Sequence, residues 1–286
     1  MSGVERRELV CENAGGEKIW SLVWLPAGAS GSSRSPVVVY AHGMHSNHLA
    51  GGAWARELTS KGYAVCCLDF RGGRNSLSDG EALDMTLFGE QSDVEVVAET
   101  VARQPWADAN NMFLMGASMG GAASALAAAA KPGLVKGLVL LYPALSLADE
   151  VRRQFPDPVE IPESALLGER LPDAAERLDV VGEQFLRTLY GFDLPGTAVK
   201  YRGPVLIIHG TEDDLVEPSW SVRAARGYEH ATLELVSGAG HGFSGGAFKF
   251  AVKKIVEFLD GECDLADESG LDGDLNFAGG GMGLGR

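Results

Sequence analysis

Two runs rich in apolar residues open the chain. Residues 8–14 and 18–25 read as strands, and Gly15-Gly16 between them supplies the positive φ of a tight hairpin turn. A Gly/Ser-rich loop follows at 27–35, and there the pattern changes. PVVVYA, at 36–41, is apolar without interruption, as expected of a strand covered on both faces. A helical stretch at 50–61 leads to a second such strand at 64–69. An amphipathic helix at 88–103 leads to a third strand at 112–115, and an Ala-rich helix at 121–130 to a fourth at 137–142. Strands at 205–209 and 232–236 and helices at 219–227 and 247–259 complete the alternation. Strands alternating with helices predict an α/β domain, a mostly parallel sheet with helices on both faces.

One segment breaks the rhythm. Between the strands ending at 142 and starting at 204 lie 61 residues, 143–203, where a simple crossover needs only a dozen or so. The segment contains EQFLRTLYGF, which looks helical, and a structureless loop of such length is improbable. It reads as an inserted lid, dividing the chain into a core of 1–142 with 204–260, a lid of 143–203, and a tail of 261–286. That tail has eight glycines in 26 residues and little apolar periodicity, so it reads as disordered.

Composition narrows the function classes. Asp plus Glu outnumber Lys plus Arg by 39 to 24, a net charge of −15. That argues against a nucleic acid or an anionic membrane surface as partner, since both bind clustered positive charge. Four cysteines show neither a CxxC pattern nor zinc-ligand spacing, and the adjacent Cys66 and Cys67 should face opposite sides of one buried strand. The first twenty residues lack the apolar core of a signal peptide, and no run reaches the ~18 apolar residues of a membrane span. The expected location is the cytoplasm, and a homodimer is compatible with the sequence.

The chemistry centres on GASMG, 116–120, a G-x-S-x-G. In a chain with 38 glycines such a match means little alone, but this one follows a strand and opens a helix. A strand-to-helix turn this sharp presents the Ser118 hydroxyl above the sheet, and small residues at 116 and 120 let the neighbouring backbone approach. A serine needs a base, and the base an orienting acid. His241, in GAGHGF after the last strand, is the candidate base. Glu212, Asp213 and Asp214, in HGTEDDLV after the preceding strand, compete for the acid. Both loops leave carboxyl ends of strands, where open α/β sheets build their sites. An oxyanion hole is also required. The Met119 amide, next to the nucleophile, should supply one donor, and the Met44 amide in the His42-Gly43-Met44 loop the other. His42, His45 and His48 recur every three residues, a helical spacing in a loop, so no metal is expected; His42 should instead brace the oxyanion loop and His209 be a satisfied structural histidine. No cofactor is expected.

With HGM, GASMG, HGTEDDLV and GAGHGF in that order, the chain resembles the α/β hydrolases over about residues 8–260. Within them it is similar to bacterial cinnamoyl and feruloyl esterases, through DFRGGRNSLSDG (69–80), the long insert, FLRTLYGFDLP (185–195) and KYRGPVLIIHGTEDDLVEP (200–218). The resemblance places the acid on Asp213 and the oxyanion donors on Met44 and Met119. The elbow reads GASMG where those esterases usually have GHSQG, and Met44 stands where they usually have phenylalanine. The triad is untouched by either change. The lid leaves the sheet beside the nucleophile strand and should roof Ser118, with Leu145, Leu147, Phe185, Leu189, Tyr190 and Phe192 forming an apolar slot. By the same resemblance Asp149 would accept a hydrogen bond from a phenolic hydroxyl.

The expected activity is hydrolysis of a small aryl or acyl ester, such as a hydroxycinnamoyl ester, through an acyl-enzyme. A peptidase of the prolyl-oligopeptidase type is the first alternative, disfavoured because no propeller-sized domain precedes the core. A thioesterase or acyltransferase is the second, and a non-catalytic binder the third. Serine at the elbow excludes dehalogenase and epoxide hydrolase chemistry, which places aspartate there.

Overall fold

The computed structural model describes residues 4–167 and 180–263. In chain order the elements are β1 (Glu5–Glu12), β2 (Lys18–Leu25), β3 (Ser35–Ala41), α1 (Gly52–Thr59), β4 (Ala64–Leu68), α2 (Leu87–Ala102), β5 (Ala107–Ala117), α3 (Met119–Ala130), β6 (Gly137–Leu141), α4 (Leu147–Gln154), β7 (Ser164–Leu166), β8 (Val180–Gly182), α5 (Glu183–Tyr190), α6 (Leu194–Ala198), β9 (Val205–Gly210), α7 (Ser219–Gly227), β10 (Ala231–Val236) and α8 (Gly245–Glu262). Eight strands form one sheet in the order β1-β2-β4-β3-β5-β6-β9-β10. The β1–β2 hairpin is antiparallel, with Glu12 opposite Lys18, and β2 meets β4 antiparallel; from β4 to β10 every pairing is parallel.

The burial pattern explains which run went where. Every residue of β4, β6 and β9 is buried, as sheet strands packed on both faces must be. The edge strand β1 is mostly exposed and carries the charged run ERRE, which blunts edge-to-edge pairing. Two cores lie on the two faces. Cys66 packs with Val97, Val101 and Leu126 of α2 and α3; Cys67, one residue on, packs with Trp54 and Leu58 of α1 and Ile255 of α8. α3 is buried over most of its length, and its alanines and glycines let it sit close against α2 and α6.

Three elements differ from the sequence reading. The helix expected over 50–61 is split into a 3-10 turn (His48–Gly51) and α1. Asn47 caps the turn through Leu49 N–H, and a Cβ at Gly51 would lie 2.5 Å from Cys67 Sγ, so the backbone here is pressed onto the sheet. β5 begins at Ala107, five residues before the predicted strand, because Ala107 pairs with Ser35 of β3, and the polar DANN that follows falls in the register shift before the Val37–Met112 pair. α8 runs to Glu262 rather than 259, while residues 264–286 of the predicted tail lie outside the described residues.

Residues 143–203 hold α4, α5, α6 and a two-stranded antiparallel sheet of β7 and β8. β8 meets the 81–84 turn so closely that a Cβ at Gly182 would lie 1.9 Å from the Leu83 carbonyl oxygen. Among the described residues no helix is long and apolar enough to cross a membrane.

Candidate active site

Ser118 occupies the sharp turn between β5 and α3 with φ 53° and ψ −121°. A non-glycine residue in such a region costs on the order of 1–3 kcal/mol, so its surroundings must enforce it. They do: the Ser118 amide donates to Leu141 O at 2.9 Å, and the Ser118 carbonyl accepts from the amides of Gly121, Ala122 and Ala144. The two motif glycines are sterically required. A Cβ at Gly116 would sit 2.2 Å from Gly120 O, and one at Gly120 would sit 2.2 Å from His42 O. The second contact presses the nucleophile turn onto the loop after β3.

The candidate base and acid are held by the loops after β10 and β9. His241 Nε2 lies 3.0 Å from Ser118 Oγ, and His241 Nδ1 lies 2.8 Å from Asp213 Oδ2. Of the three acids left open by the sequence, Glu212 and Asp214 are exposed and Asp213 alone is buried against the histidine. A Cβ at Gly210 would lie 2.1 Å from Ala239 O, so the ends of β9 and the loop carrying His241 are in backbone contact. Burial by itself would raise the Asp213 pKa. Hydrogen bonds from His209, His241 and the Val216 amide outweigh it and hold the carboxyl well below the usual carboxylate range. Asp213 Oδ1 accepts from the amides of Leu215 and Val216 at 3.0 and 2.9 Å, and its Oδ2 also takes His209 Nε2 at 3.0 Å. That last contact is absent from the sequence reading; the only signal for it was a histidine ending the strand four residues before the acid. Tyr142, with φ 37°, sets its ring edge-on to His241 at 4.7 Å.

The oxyanion loop is braced by His42. Its Nε2 accepts from Phe70 N–H at 3.1 Å, so Nδ1 carries the hydrogen donated to Gly43 O at 2.8 Å. Burial pushes the His42 pKa down to about 4, which keeps the ring neutral. Gly43 packs against Ser118, since a Cβ there would lie 3.3 Å from Ser118 Cβ. Met44 lines the cleft, and Met119 begins α3 with its amide in the helix's first turn, where donors have no intrahelical partner. The motif DFRGGRNSLSDG forms the opposite rim. Asp69, fully buried, fastens it by accepting from the His48 amide at 2.5 Å, His48 Nδ1 at 2.9 Å and the Leu77 amide at 2.9 Å.

The result is a cleft of about 810 Å³ over Ser118 and His241, with Met44, Leu83, Tyr142, Val180 and Leu215 as apolar lining and Arg74 and Glu81 as charged lining. Two predicted binding residues do not reach it. Asp149 lies on α4 and accepts from Arg152 Nη2 at 2.7 Å, and the Tyr190 hydroxyl donates to Pro156 O at 2.7 Å. Among the described residues the expected aromatic slot is not formed either. Leu145, Leu147, Phe185 and Leu189 are buried in the larger core, because α4 and α5 turn their apolar faces inward onto each other and α3's side of the sheet. Among the described residues of 143–203, Val180 lines the cleft. Among the described residues no group of His, Cys, Asp and Glu is arranged to hold a metal ion.

A family model described as serine aminopeptidase, S33, matches residues 32–188. No curated protein matches the sequence. Among solved structures, Est1E from Butyrivibrio proteoclasticus with ferulic acid bound is 22% identical, with a TM-score of 0.76 over 89% of this chain and 98% of that one. DcsB in complex with its substrate analogue is 18% identical, with a TM-score of 0.76 over 91% and 100% of the two chains. Mouse α/β hydrolase domain-containing protein 10 is 18% identical, with a TM-score of 0.73 over 89% and 99%. At these identities the likeness is one of fold.

Proposed function

We propose that this chain, which belongs to the serine aminopeptidase S33 family and has the α/β-hydrolase fold, hydrolyses carboxylic esters through an acyl-enzyme. One observation carries the reading: Ser118 Oγ, the His241 ring and the Asp213 carboxylate form an unbroken hydrogen-bonded series of 3.0 and 2.8 Å at the floor of a cleft. His241 takes the Ser118 proton as the oxygen attacks the ester carbonyl, and Asp213 stabilises the imidazolium that results. The Met44 and Met119 amides receive the charge on the tetrahedral oxygen. The alcohol leaves with the proton from His241. Water, deprotonated by the same ring, then releases the acid and restores Ser118.

The substrate proposed is a small aryl or acyl ester of the hydroxycinnamoyl kind. The apolar lining of Met44, Leu83, Tyr142 and Leu215 suits an aromatic acid, and Est1E, of the same fold, holds ferulic acid. A second reading is an aminoacyl hydrolase. It is favoured by the family's description and by Glu81 in the cleft, a carboxylate able to meet an α-ammonium group. A panel of p-nitrophenyl butyrate, methyl ferulate, butyryl-CoA and aminoacyl p-nitroanilides on one preparation decides. Esters turned over at least tenfold faster than the anilides and thioester are expected; faster anilide hydrolysis would replace the first reading with the second.

A further inference from the structure

His209 lies one residue before the end of β9 and is completely buried, yet both of its ring nitrogens are engaged. Nε2 lies 3.0 Å from Asp213 Oδ2 and 2.9 Å from Val216 O. Two acceptors facing one nitrogen require a hydrogen on it, shared between them. Nδ1 lies 2.7 Å from the hydroxyl of Ser221, itself fully buried in α7, and a neutral ring with its hydrogen on Nε2 accepts from that hydroxyl at Nδ1. The two acceptors at Nε2 thus set the tautomer, and Ser221, donating to the bare Nδ1, holds the ring in the plane that aims Nε2 at the acid.

We propose that His209 is a positioning residue for Asp213, holding Oδ2 toward His241 by a hydrogen shared with the Val216 carbonyl, with Ser221 fixing the ring that supplies it. The inference rests on the serine-hydrolase reading above. Oδ2 meets two imidazole donors, His241 Nδ1 at 2.8 Å and His209 Nε2 at 3.0 Å, while two backbone amides grip Oδ1. All of the roughly four lone-pair directions of the carboxylate are then used. The shared hydrogen has a second effect. It holds together two oxygens, Asp213 Oδ2 and Val216 O, that would otherwise repel across a dry gap. Removing it leaves a carbonyl that belongs to the backbone and a side-chain oxygen that is free to turn, so Oδ2 swings off His241. Because Gly210 is pressed onto Ala239, the strand end bearing His209 and the loop bearing His241 form one rigid frame, and the displacement cannot be absorbed by moving the base after the acid.

The test compares His209→Leu, His209→Gln and Ser221→Ala with wild type by kcat, KM and the pH profile of p-nitrophenyl butyrate hydrolysis, with folding followed by circular dichroism. H209L should lose about 10- to 100-fold in kcat with KM within about threefold, the range expected for losing a hydrogen bond to a charged group. Its acid limb should move to lower pH, because the His241 imidazolium loses its carboxylate. H209Q, whose amide nitrogen can reach the place of Nε2, should recover most of the rate and the wild-type limb. S221A should fall about 3- to 10-fold with the same direction of limb shift, and it carries the test if H209L does not fold. A folded H209L within twofold of wild type, or H209L and H209Q equally slow with an unmoved limb, would overturn the proposal, as would an S221A enzyme unchanged in rate and limb. Those results are distinct from failure of the underlying reading. In that case wild type would hydrolyse no substrate of the panel, a fluorophosphonate would not label Ser118, and this inference would fall with it.

Discussion

At the residue scale, Ser118 turns its side chain to the cleft at the cost of a strained backbone, and the strain is held by four hydrogen bonds to its own main-chain atoms rather than by its side chain. Replacing the hydroxyl therefore leaves the turn intact. Ser118→Ala should keep the wild-type melting temperature and lose about 10⁴ to 10⁶ in kcat, since members of such a unit act together. Turnover near the wild-type rate, measured on p-nitrophenyl butyrate, would remove Ser118 from the mechanism. The acid offers a sharper comparison. Asp213→Asn should cost about 10⁴ in kcat, whereas Asp214→Asn, an exposed neighbour, should stay within a few-fold. The reverse ordering would put the acid at 214. Ser118 and His241 were legible because each sits in a motif at a strand's end. The family resemblance pointed to Asp213, but the motif by itself left the acid open, because residues 212–214 are three consecutive carboxylates that differ only in which one the turn after β9 points inward. That direction is set by the Leu215 and Val216 amides and by His209, contacts with no sequence period.

At the scale of single elements, α2 carries an unusual group. Glu90 is 2% exposed, and neither carboxylate oxygen has a hydrogen-bond partner among the described residues. It lines a small cavity with Glu17, Arg71, Glu81, Asp84 and Asp93; Arg71 directs its guanidinium to Asp93, at 2.7 Å, and to Glu17. Burial first, then the charge of Asp93, raises the Glu90 pKa well above the ordinary value. The native state thus binds this proton more tightly than the unfolded chain does. Stability from the group is greatest below the unfolded pKa of about 4.3 and is lost as pH rises toward the folded value. Glu90→Gln removes that loss. Its melting temperature should not exceed wild type near pH 4 but should exceed it at pH 8, by about 3 °C for each 1 kcal/mol that ionising the buried carboxyl costs the native state. Parallel melting curves from pH 4 to 8 would show that Glu90 finds a partner. The hydropathy pattern could not reveal this group, since a glutamate at that position of an amphipathic helix reads as solvated. The same limit misdirected α4 and α5. Their apolar residues were legible, but whether such a face roofs a cleft or joins a core depends on the direction in which the helix crosses the sheet, and Leu145, Leu147, Phe185 and Leu189 settled into the core.

At the scale of the whole molecule, the alternation of apolar runs and helices was enough to place all eight strands of the main sheet. A strand buried on both faces must be apolar throughout, and that signal survives without tertiary information. Polar starts and helix ends carried no such signal, and the end of α8 is the clearest case. The helix extends to Glu262, and its last turn is fastened to the body by the Tyr63 hydroxyl, which donates to Asp260 Oδ1 at 2.5 Å. Tyr63 is 2% exposed, so that hydroxyl has little recourse to water once its partner is gone. Two truncations separate the helix end from the residues beyond it. Removing 264–286 takes away a Gly-rich acidic segment whose composition offers little apolar surface to bury, and should leave activity and melting temperature within about 1 °C of wild type. Removing 260–286 also orphans the Tyr63 hydroxyl. That costs about 1–3 kcal/mol, or roughly 2–12 °C at the 2–4 °C per kcal/mol expected of a domain this size, with kcat unchanged because Tyr63 lies outside the cleft. Calorimetry on the two proteins distinguishes the cases: equal melting temperatures would mean the Tyr63–Asp260 bond contributes nothing, and a large drop already in the shorter deletion would mean that residues 264–286 dock on the fold.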